Sequence, residues 1–480
     1  MFSPLPIRIG NIGRTLHFAL NQGGNSGLPL RFRLRIIIIS LLFTLLIPAQ
    51  ILAQSNAARI EQAAALIRDN RIEEAEKELN QILKARPNEA SALNLLGTVH
   101  AMKGKLPEAE ALFARAIRID PGMTGAHLNL ARLYLLKGAP EKTVVELKEV
   151  LRLEPGNTEA ASRLAWLLLS LGRFDECIGF IENAGQSLPP AASMSAFLGE
   201  AYLRKGVIDK AEASYQQSLN LEEANADALL GMAMVAQARG TNKTAALYLN
   251  RARSVIGNSP DLLYKYALIA LDLQLNGEAI LALKRAIELR PDEPSYYFIS
   301  GVTWLRKPDL QAAEESFRDS LRMRPDQAQV QMHLGYTLLK QKKYTEAREW
   351  LEKSIRKDAG TPETFYYLGL IAQEQNENEQ AVEFLEKAIL LAPSFAYAHI
   401  ALGSTYLKLK NYPRARQELE TGVKLNPDDS KAHYNLALLY TRIKEPQRAQ
   451  QEMQIVERLK NSGGQTTDSG VVSPPSPRPR

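Results

Sequence analysis

Small residues recur every 34 residues through most of this chain. One series consists only of Gly and Ala: Ala63, Gly97, Ala131, Ala165, Gly199, Ala233, Ala267, Gly301, Gly335, Gly369, Gly403 and Ala437. A second series, mostly Ala, lies twelve positions later in each period: Ala75, Ala109, Thr143, Cys177, Ala211, Ala245, Ala279, Ala313, Ala347, Ala381, Ala415 and Ala449. No insertion disturbs the phase from residue 56 to residue 463. A fixed period of this length indicates stacked units, each of which buries its apolar face against its neighbours.

Each unit reads as two helices joined by a short polar turn. In residues 396–429, apolar residues fall at helical spacing from Ile400 to Leu407 and again from Ala415 to Val423. Pro427 ends the second helix, because proline cannot continue the backbone hydrogen-bond ladder. Prolines hold the same place in seven other units: Pro87, Pro121, Pro155, Pro189, Pro291, Pro325 and Pro393. The pattern predicts an all-α fold, an α-solenoid of about twelve helix-turn-helix repeats.

The residue types at fixed places resemble those of the tetratricopeptide repeat. Places are numbered from 1 to 34, with residue 56 at place 1 of the first unit. Small residues stand at places 8 and 20, and proline at place 32. Bulky apolar residues at place 24 and small ones at place 27 include Phe113, Tyr215, Phe317, Ala116, Ala286 and Ala388. The resemblance covers residues 56–463. It implies a right-handed superhelix whose first helices line a concave groove.

The unit spanning residues 226–259 departs most from this pattern. Gly257 stands where proline is expected, and Glu223 holds that place in the preceding unit. We therefore expect a bend or looser packing in this part of the array.

The basic charge of the chain lies at its two ends. The chain has 59 Lys and Arg against 53 Asp and Glu, a net charge of +6. Residues 1–55 contain five Arg and no acid, and residues 464–480 carry a net charge of +1, so the repeat units are neutral. Nucleic-acid binding calls for a basic stripe on the folded body, and none is predicted.

The segment before the repeats has the features of an export signal. Arg31, Arg33 and Arg35 precede an uncharged apolar run from Ile36 to Ile47, which is followed by Pro48 and a small residue at Ala53. Residues 31–54 are predicted to be a signal peptide cut after Ala53. An uncleaved membrane anchor or tether over Ile36–Ala53 and an organelle presequence are the alternatives.

Two further segments are expected to be disordered because of their composition. Residues 1–30 form a leader rich in Gly, Asn and Pro, which a misassigned start codon would explain. Residues 464–480 form a tail rich in Pro and Ser.

No sequence pattern indicates an enzyme, a metal site or a cofactor site. His127, His399 and His433 share place 4 and are interpreted as ordinary helix-face residues, since no histidine pair has zinc-ligand spacing around a glutamate. The single cysteine, Cys177, holds the small-residue place 20 and is interpreted as a small buried residue. No Gly-x-Ser-x-Gly elbow is present. We predict no catalytic activity and no small-molecule substrate.

A partner-binding groove is predicted on the first helices. The resemblance implies that place 5 faces the groove, and in the second half of the chain this place is often aromatic. Aromatic anchors dominate protein-binding surfaces, although tyrosine at place 5 also serves ordinary repeat packing. The candidate groove residues are Tyr264, Phe298, Met332, Tyr336, Tyr366, Tyr397 and Tyr434, with Asn129 and Asn435 at place 6 as peptide-backbone partners. The lysines of the clamp that holds a C-terminal carboxylate in some relatives are missing.

These features favour a non-enzymatic scaffold that binds protein or peptide partners in its groove. With the predicted export signal, we expect it to work outside the cytoplasm, in the periplasm or anchored to the inner membrane. The alternative hypothesis is a structural subunit of an envelope machine, such as one for polysaccharide export or pilus assembly.

Overall fold

A computed structural model describes residues 56–184, 187–357 and 360–461, and its regular elements are all α-helices. The first helices of the units are α1 (56–68), α3 (Ala90–Met102), α5 (Thr124–Leu136), α7 (Thr158–Ser170), α9 (Ala192–Arg204), α11 (Ala226–Ala238), α13 (Pro260–Asp272), α15 (Pro294–Arg306), α17 (Ala328–Lys340), α19 (Pro362–Glu374), α21 (Ala396–Lys408) and α23 (Ser430–Arg442). The second helices are α2 (Ile72–Ala85), α4 (Leu106–Ile119), α6 (Pro140–Leu153), α8 (Phe174–Ala184), α10 (Ile208–Leu221), α12 (Asn242–Val255), α14 (Asn276–Leu289), α16 (Leu310–Met323), α18 (Tyr344–Lys357), α20 (Asn378–Leu391), α22 (Tyr412–Leu425) and α24 (Pro446–Asn461). The predicted solenoid of helix-turn-helix repeats is confirmed, with two helices in each of the twelve units.

The backbone repeats with the same phase as the sequence. Every first helix spans places 1–13, and every second helix begins at place 17. In eleven of the twelve units, the turn between them has a residue with positive φ at place 15, and five of these are Gly: Gly104, Gly138, Gly172, Gly206 and Gly240. The same place is Asn70, Gln274, Lys342, Asn376, Lys410 or Lys444 in six other units. Glycine is the usual residue at a left-handed position, but several residue types hold it here. The turn is therefore harder to recognise in the sequence than the series of small helix residues.

The chain divides into two compact bodies, and the boundary lies within the fourth unit. Among the described residues, the first body contains 56–168 with 187–189, and the second contains the remainder. Within each body, the second helix of a unit packs against the first helix of the next unit. First helices of successive units also contact one another, for example α9 with α11 and α11 with α13.

Close helix packing explains the series of small residues. A Cβ added at Gly97 would lie 2.6 Å from the Phe113 ring, and one at Gly369 would lie 2.7 Å from Leu385. In both units, the residue at place 8 lies directly against the large residue at place 24. The second helix therefore approaches the first so closely that no side chain fits between them.

The recurring histidines hold the two helices of a unit together. His127 and His399 each lie 2.7 Å from a glutamate nineteen positions later, Glu146 and Glu418. His433 makes the same contact with Glu452. Cys177 is buried, and burial raises the pKa of its thiol to about 12. These contacts agree with the interpretation of these side chains as structural.

Three predicted segments lie outside the described residues: the leader 1–30, the signal or anchor segment 31–54, and the tail 464–480. Among the helices that are described, none is long and apolar enough to span a membrane.

Candidate functional site

The helix α11 is narrow because six of its thirteen residues are Ala or Gly: Ala226, Ala228, Gly231, Ala233, Ala236 and Ala238. Side chains from the first helices on either side can therefore meet across it. Lys265 of α13 donates a hydrogen bond to Glu200 of α9, with 2.9 Å between Nζ and Oε2. This pair joins the seventh unit directly to the fifth.

A buried tyrosine, Tyr215, fixes the position of Glu200 in this ion pair. The Tyr215 ring lies between α9 and α11, and it occupies the space that Cβ atoms at Gly199 and Gly231 would need. Its hydroxyl donates a hydrogen bond of 3.3 Å to the carboxylate of Glu200. Since Tyr215 is fully buried, it holds that carboxylate in a defined position.

An open cleft of about 320 Å³ lies on α9, α11 and α13, and we call it the first-helix cleft. Its polar groups belong to Glu200, Arg204, Gln237, Lys265 and Asp272, and its apolar wall is made of Met234, Leu268, Ile269, Leu271 and the ring of Tyr264. Clefts of a few hundred Å³ that combine apolar walls with a few polar groups are typical of binding sites.

In the central ion pair of the cleft, Glu200 and Lys265 are both charged, and their charges sum to zero. Burial alone would raise the pKa of Glu200 and lower that of Lys265. The attraction and hydrogen bond between the two side chains outweigh burial, so the Glu200 pKa lies below its usual value and the Lys265 pKa above. Both side chains remain partly accessible, at 21% and 26%. A partner that meets this pair finds two compensated charges.

Two other polar groups of the cleft are free to bind. The hydroxyl of Tyr264 and the side-chain amide of Gln237 make no hydrogen bond with any described residue. Burial, with the charge of Glu293, raises the pKa of Tyr264 to about 12, so its hydroxyl keeps its proton. The cleft thus offers a hydroxyl and an amide beside apolar side chains.

Four of the predicted groove residues are part of the packed interior. Phe298, Met332 and Tyr336 are buried, and Tyr366 is only 1% exposed. The Tyr336 ring centroid lies 5.1 Å from that of Tyr367, and the Tyr366 centroid lies 5.2 Å from that of Phe395. The expectation of an open aromatic stripe is corrected for these four, because aromatic side chains of consecutive units fill the space between the first helices.

The other predicted residues of the second body are placed differently. Tyr264 lines the first-helix cleft and packs against Tyr296, with ring centroids 5.2 Å apart. Tyr397 is half-buried, and Tyr434 is 46% exposed. Asn435 is buried, and its Nδ2 has no hydrogen-bond partner within the described residues. A binding role for these four stays a prediction.

Asn129 belongs to the first body and is held by its neighbours. Its Nδ2 donates to Oδ1 of Asn94 at 3.0 Å and lies 3.3 Å from the hydroxyl of Thr98. Its amide group is therefore committed to contacts between α3 and α5. A role in binding a peptide backbone stays a prediction for this residue too.

The charged residues of the cleft were not predicted from the sequence, because the candidates were the aromatic and Met residues at or near place 5 and two asparagines at place 6. Glu200 stands at place 9, Lys265 at place 6, and Arg204 and Asp272 at place 13. One signal was available, namely the run of small residues in α11, which lies in the irregular unit 226–259. That unit was expected to pack loosely, and the cleft opens on its first helix.

Family models identify the repeats. Three models described as tetratricopeptide repeat match the chain. One matches residues 60–124, 264–322 and 305–362, the second matches 137–200 and 372–439, and the third matches 195–229. The chain belongs to the tetratricopeptide repeat family. This repeat protein is a protein-interaction scaffold, and the fold is typically non-catalytic.

Comparisons of this repeat protein with individual proteins show only a general similarity of fold. No curated protein matches its sequence. Similar solved structures include the APC/C hetero-tetramer Cut9-Hcn1, with 14% identity over 83% of this chain and 92% of that chain and a TM-score of 0.44. Another is pilF of Pseudomonas aeruginosa, with 21% identity over 42% of this chain and 92% of that chain and a TM-score of 0.38. Yeast Tom70 has 15% identity over 86% of this chain and 96% of that chain and a TM-score of 0.38. At these scores the similarity says nothing about partners.

Proposed function

We propose that this repeat protein binds an extended segment of a partner protein in the first-helix cleft. The observation that carries the proposal is the unused hydrogen-bonding capacity of Tyr264 and Gln237 beside an apolar wall. An extended peptide presents backbone donors and acceptors along its length and side chains at alternate positions. The amide and the hydroxyl fit its backbone, and the wall fits a large apolar side chain.

The charges of the cleft favour a segment without a strong charge of its own. Glu200 and Lys265 compensate each other, and the other two charged residues of the cleft, Arg204 and Asp272, are of opposite sign. A highly charged side chain would lose water without finding an uncompensated opposite charge. Apolar and aromatic side chains lose nothing of this kind.

A second contact on the same helix face would strengthen the binding of a long segment. Tyr434 and Leu438 lie one helical turn apart on α23 and are exposed to 46% and 38%. Contacts at two separated places along one chain multiply affinity through effective concentration.

The proposal predicts which single change removes binding. Peptides are selected from a random display library on the full chain, and their affinity is measured by fluorescence anisotropy. We expect Leu268→Glu to weaken the cleft-binding peptides at least about tenfold, because a charge replaces a side chain of the apolar wall. Ser404→Glu is the matched control: it changes the same place 9 in the eleventh unit, also at a half-buried position.

Equal loss of binding in both variants would contradict the proposal, as would unchanged binding in Leu268→Glu. Circular dichroism at 222 nm checks that both variants keep their helices.

We also propose that the protein works outside the cytoplasm. The support is the order of sequence features in residues 31–53, in which basic residues precede an uncharged apolar run, Pro48 and Ala53. We expect a bacterial host to export the chain, so that added protease degrades it in cells with a permeabilised outer membrane. Leu41→Arg together with Leu45→Arg should keep it in the cytoplasm, because charges prevent the apolar run from entering the membrane. Equal protease resistance of both chains would refute export.

A further inference from the structure

The same part of the array has a second opening, on the side of the second helices. It measures about 200 Å³, and we call it the second-helix cleft. Its interior is formed by Ile256, Leu263, Tyr266 and Ala282, and Leu281 stands at its edge. It lies where the proline that normally ends a second helix is replaced by Gly257, which has a φ of 62°.

Two leucines on this side are exposed at a place where most other units have no large apolar residue. Leu281 is 69% exposed, and Leu247, at the same place 22 one unit earlier, is 68% exposed. In the five units that follow, place 22 is Glu315, Glu349, Glu383, Gln417 and Gln451. Val145 is the one other large aliphatic residue at this place, and the units on either side of it have Ala or Gly there. Neighbouring exposed leucines beside an apolar cleft mark an interaction surface.

The two second helices at this cleft carry an excess of positive charge. The helix α12 has three basic residues, Lys243, Arg251 and Arg253, and is the one second helix without an acidic residue. The helix α14 has two residues of each sign, so the two helices together carry a net charge of +3. Arg253 and Arg285 line the cleft, and their side chains are 62% and 47% exposed.

The acidic groups nearby compensate this charge only in part. Glu278 accepts a hydrogen bond from the hydroxyl of Tyr266 and lies 3.8 Å from Arg253. Glu288 lies 3.0 Å from Arg285. Each arginine thus has one acidic neighbour, at an exposed position where such pairs are weak. On the same helix, Arg251 lies 3.7 Å from Glu223, and Lys243 makes no ion pair with any described residue.

We propose that the second-helix cleft binds a partner protein segment in which acidic residues flank a large apolar side chain. The apolar side chain enters the cleft beside Leu281, and the acids meet Arg253 and Arg285. Opposite charge on the two surfaces speeds their encounter and selects the partner. This site is separate from the first-helix cleft, so the protein can hold two segments at once.

Two other occupants fit the surface less well. A second copy of the chain would bring the same positive charge against itself, which is repulsive. An anionic membrane is flat and leaves a recess of about 200 Å³ empty, and it would face the carboxylates of Glu278 and Glu288. A protruding protein side chain fills the recess.

Peptides are selected from a random display library on the full chain. They are then grouped by which variants of the chain bind them more weakly. We expect one class to contain a large apolar residue next to Asp or Glu. Leu281→Glu should weaken this class at least about tenfold, because it replaces the apolar contact made with the bound peptide by a charge of the same sign as the peptide's acidic residues. Arg253→Gln with Arg285→Gln should weaken it in low salt only, since salt screens exposed charges.

The controls separate this proposal from the first-helix cleft and from misfolding. Leu281→Glu installs the residue that the next three units have at this place, so the fold should be unaffected. Leu268→Glu should leave the acidic class bound. Glu315→Gln, at place 22 of the next unit, should change nothing.

Three results would overturn the proposal. One is the absence of any acidic class that depends on Leu281. Another is self-association in sedimentation velocity that Leu281→Glu abolishes, since a second copy would then cover the surface. The third is binding to vesicles with anionic phosphatidylglycerol that Leu281→Glu removes, since a membrane would then be the occupant.

Discussion

Gly231→Leu is expected to unfold the middle of the array, with a loss of about 3 kcal/mol or more in stability. A Cβ added at this position falls inside the van der Waals contact of the Tyr215 ring, at Cζ and Cε1. The ring is fully buried against Gly199 on its other side, so it cannot move away. Overpacking of well-packed interiors costs roughly 1–3 kcal/mol and sometimes more, and leucine adds three further carbons to the clash.

The effect should be local, because each unit of a repeat array is stabilised mainly by its neighbours. Limited proteolysis is expected to cut between residues 205 and 260 in the variant, and the helical signal at 222 nm should melt in two steps. Gly179→Ala is the matched control. It also replaces a glycine inside a helix, but nothing lies within 4 Å of the added Cβ, so it should stabilise the helix slightly. A single unchanged melting step in Gly231→Leu would show that Tyr215 is not held as described.

Acidification is expected to destabilise the second body through His333. This side chain is completely buried, with its ring centroid 5.1 Å from Phe298 and 5.6 Å from Phe317. Burial lowers the His333 pKa from 6.5 to about 4, although its hydrogen bond to the backbone oxygen of Gln329 acts in the opposite direction. Between these two values the unfolded chain binds the proton and the folded chain does not. Stability is therefore complete above pH 6.5 and falls as the pH drops towards 4, by about 3 kcal/mol in all.

The pH effect is isolated by comparing the chain with His333→Leu. The difference in free energy of unfolding between the two should change steadily from pH 7 to pH 4.5 in denaturant titrations. His399→Leu is a control of opposite sign. Burial lowers the His399 pKa, but the hydrogen bonds to Glu418 and to the backbone oxygen of Pro393 outweigh it, so the pKa is raised. Its contribution is present at low pH and is lost as the pH rises. A difference for His333→Leu that does not depend on pH would contradict the burial of this imidazole.

The fold could be predicted from the sequence because its cause is local and repeated. Gly97 and Gly369 stand at place 8 because the residues at place 24, Phe113 and Leu385, lie against them. The same contact recurs at Gly199, Gly301, Gly335 and Gly403. All twelve units have Gly or Ala at place 8, so the pattern is visible in the sequence. The prolines at place 32 similarly mark helix ends that the structure has at nearly the same positions.

The candidate site could be predicted only in part. Place 5 was expected to face the partner, and Tyr264 does line the first-helix cleft. Tyr366 has the same place and a similar neighbourhood in sequence, yet it is buried against Tyr367 and Phe395. The difference arises from the neighbouring helix. Beside Tyr264 lies the narrow helix α11, and beside Tyr366 lie large aromatic side chains that fill the space.

By itself, the sequence determined that this chain forms stacked helical hairpins of constant length, because helix spacing, turns and small contact residues are properties of each unit and its nearest neighbour. Only the tertiary structure decided where that stack is open. Lys265 contacts Glu200 across an entire unit, and Leu281 lies exposed beside an apolar cleft. Both depend on the sizes of the side chains on three successive helices, which together determine where a cleft remains. No single unit carries that information.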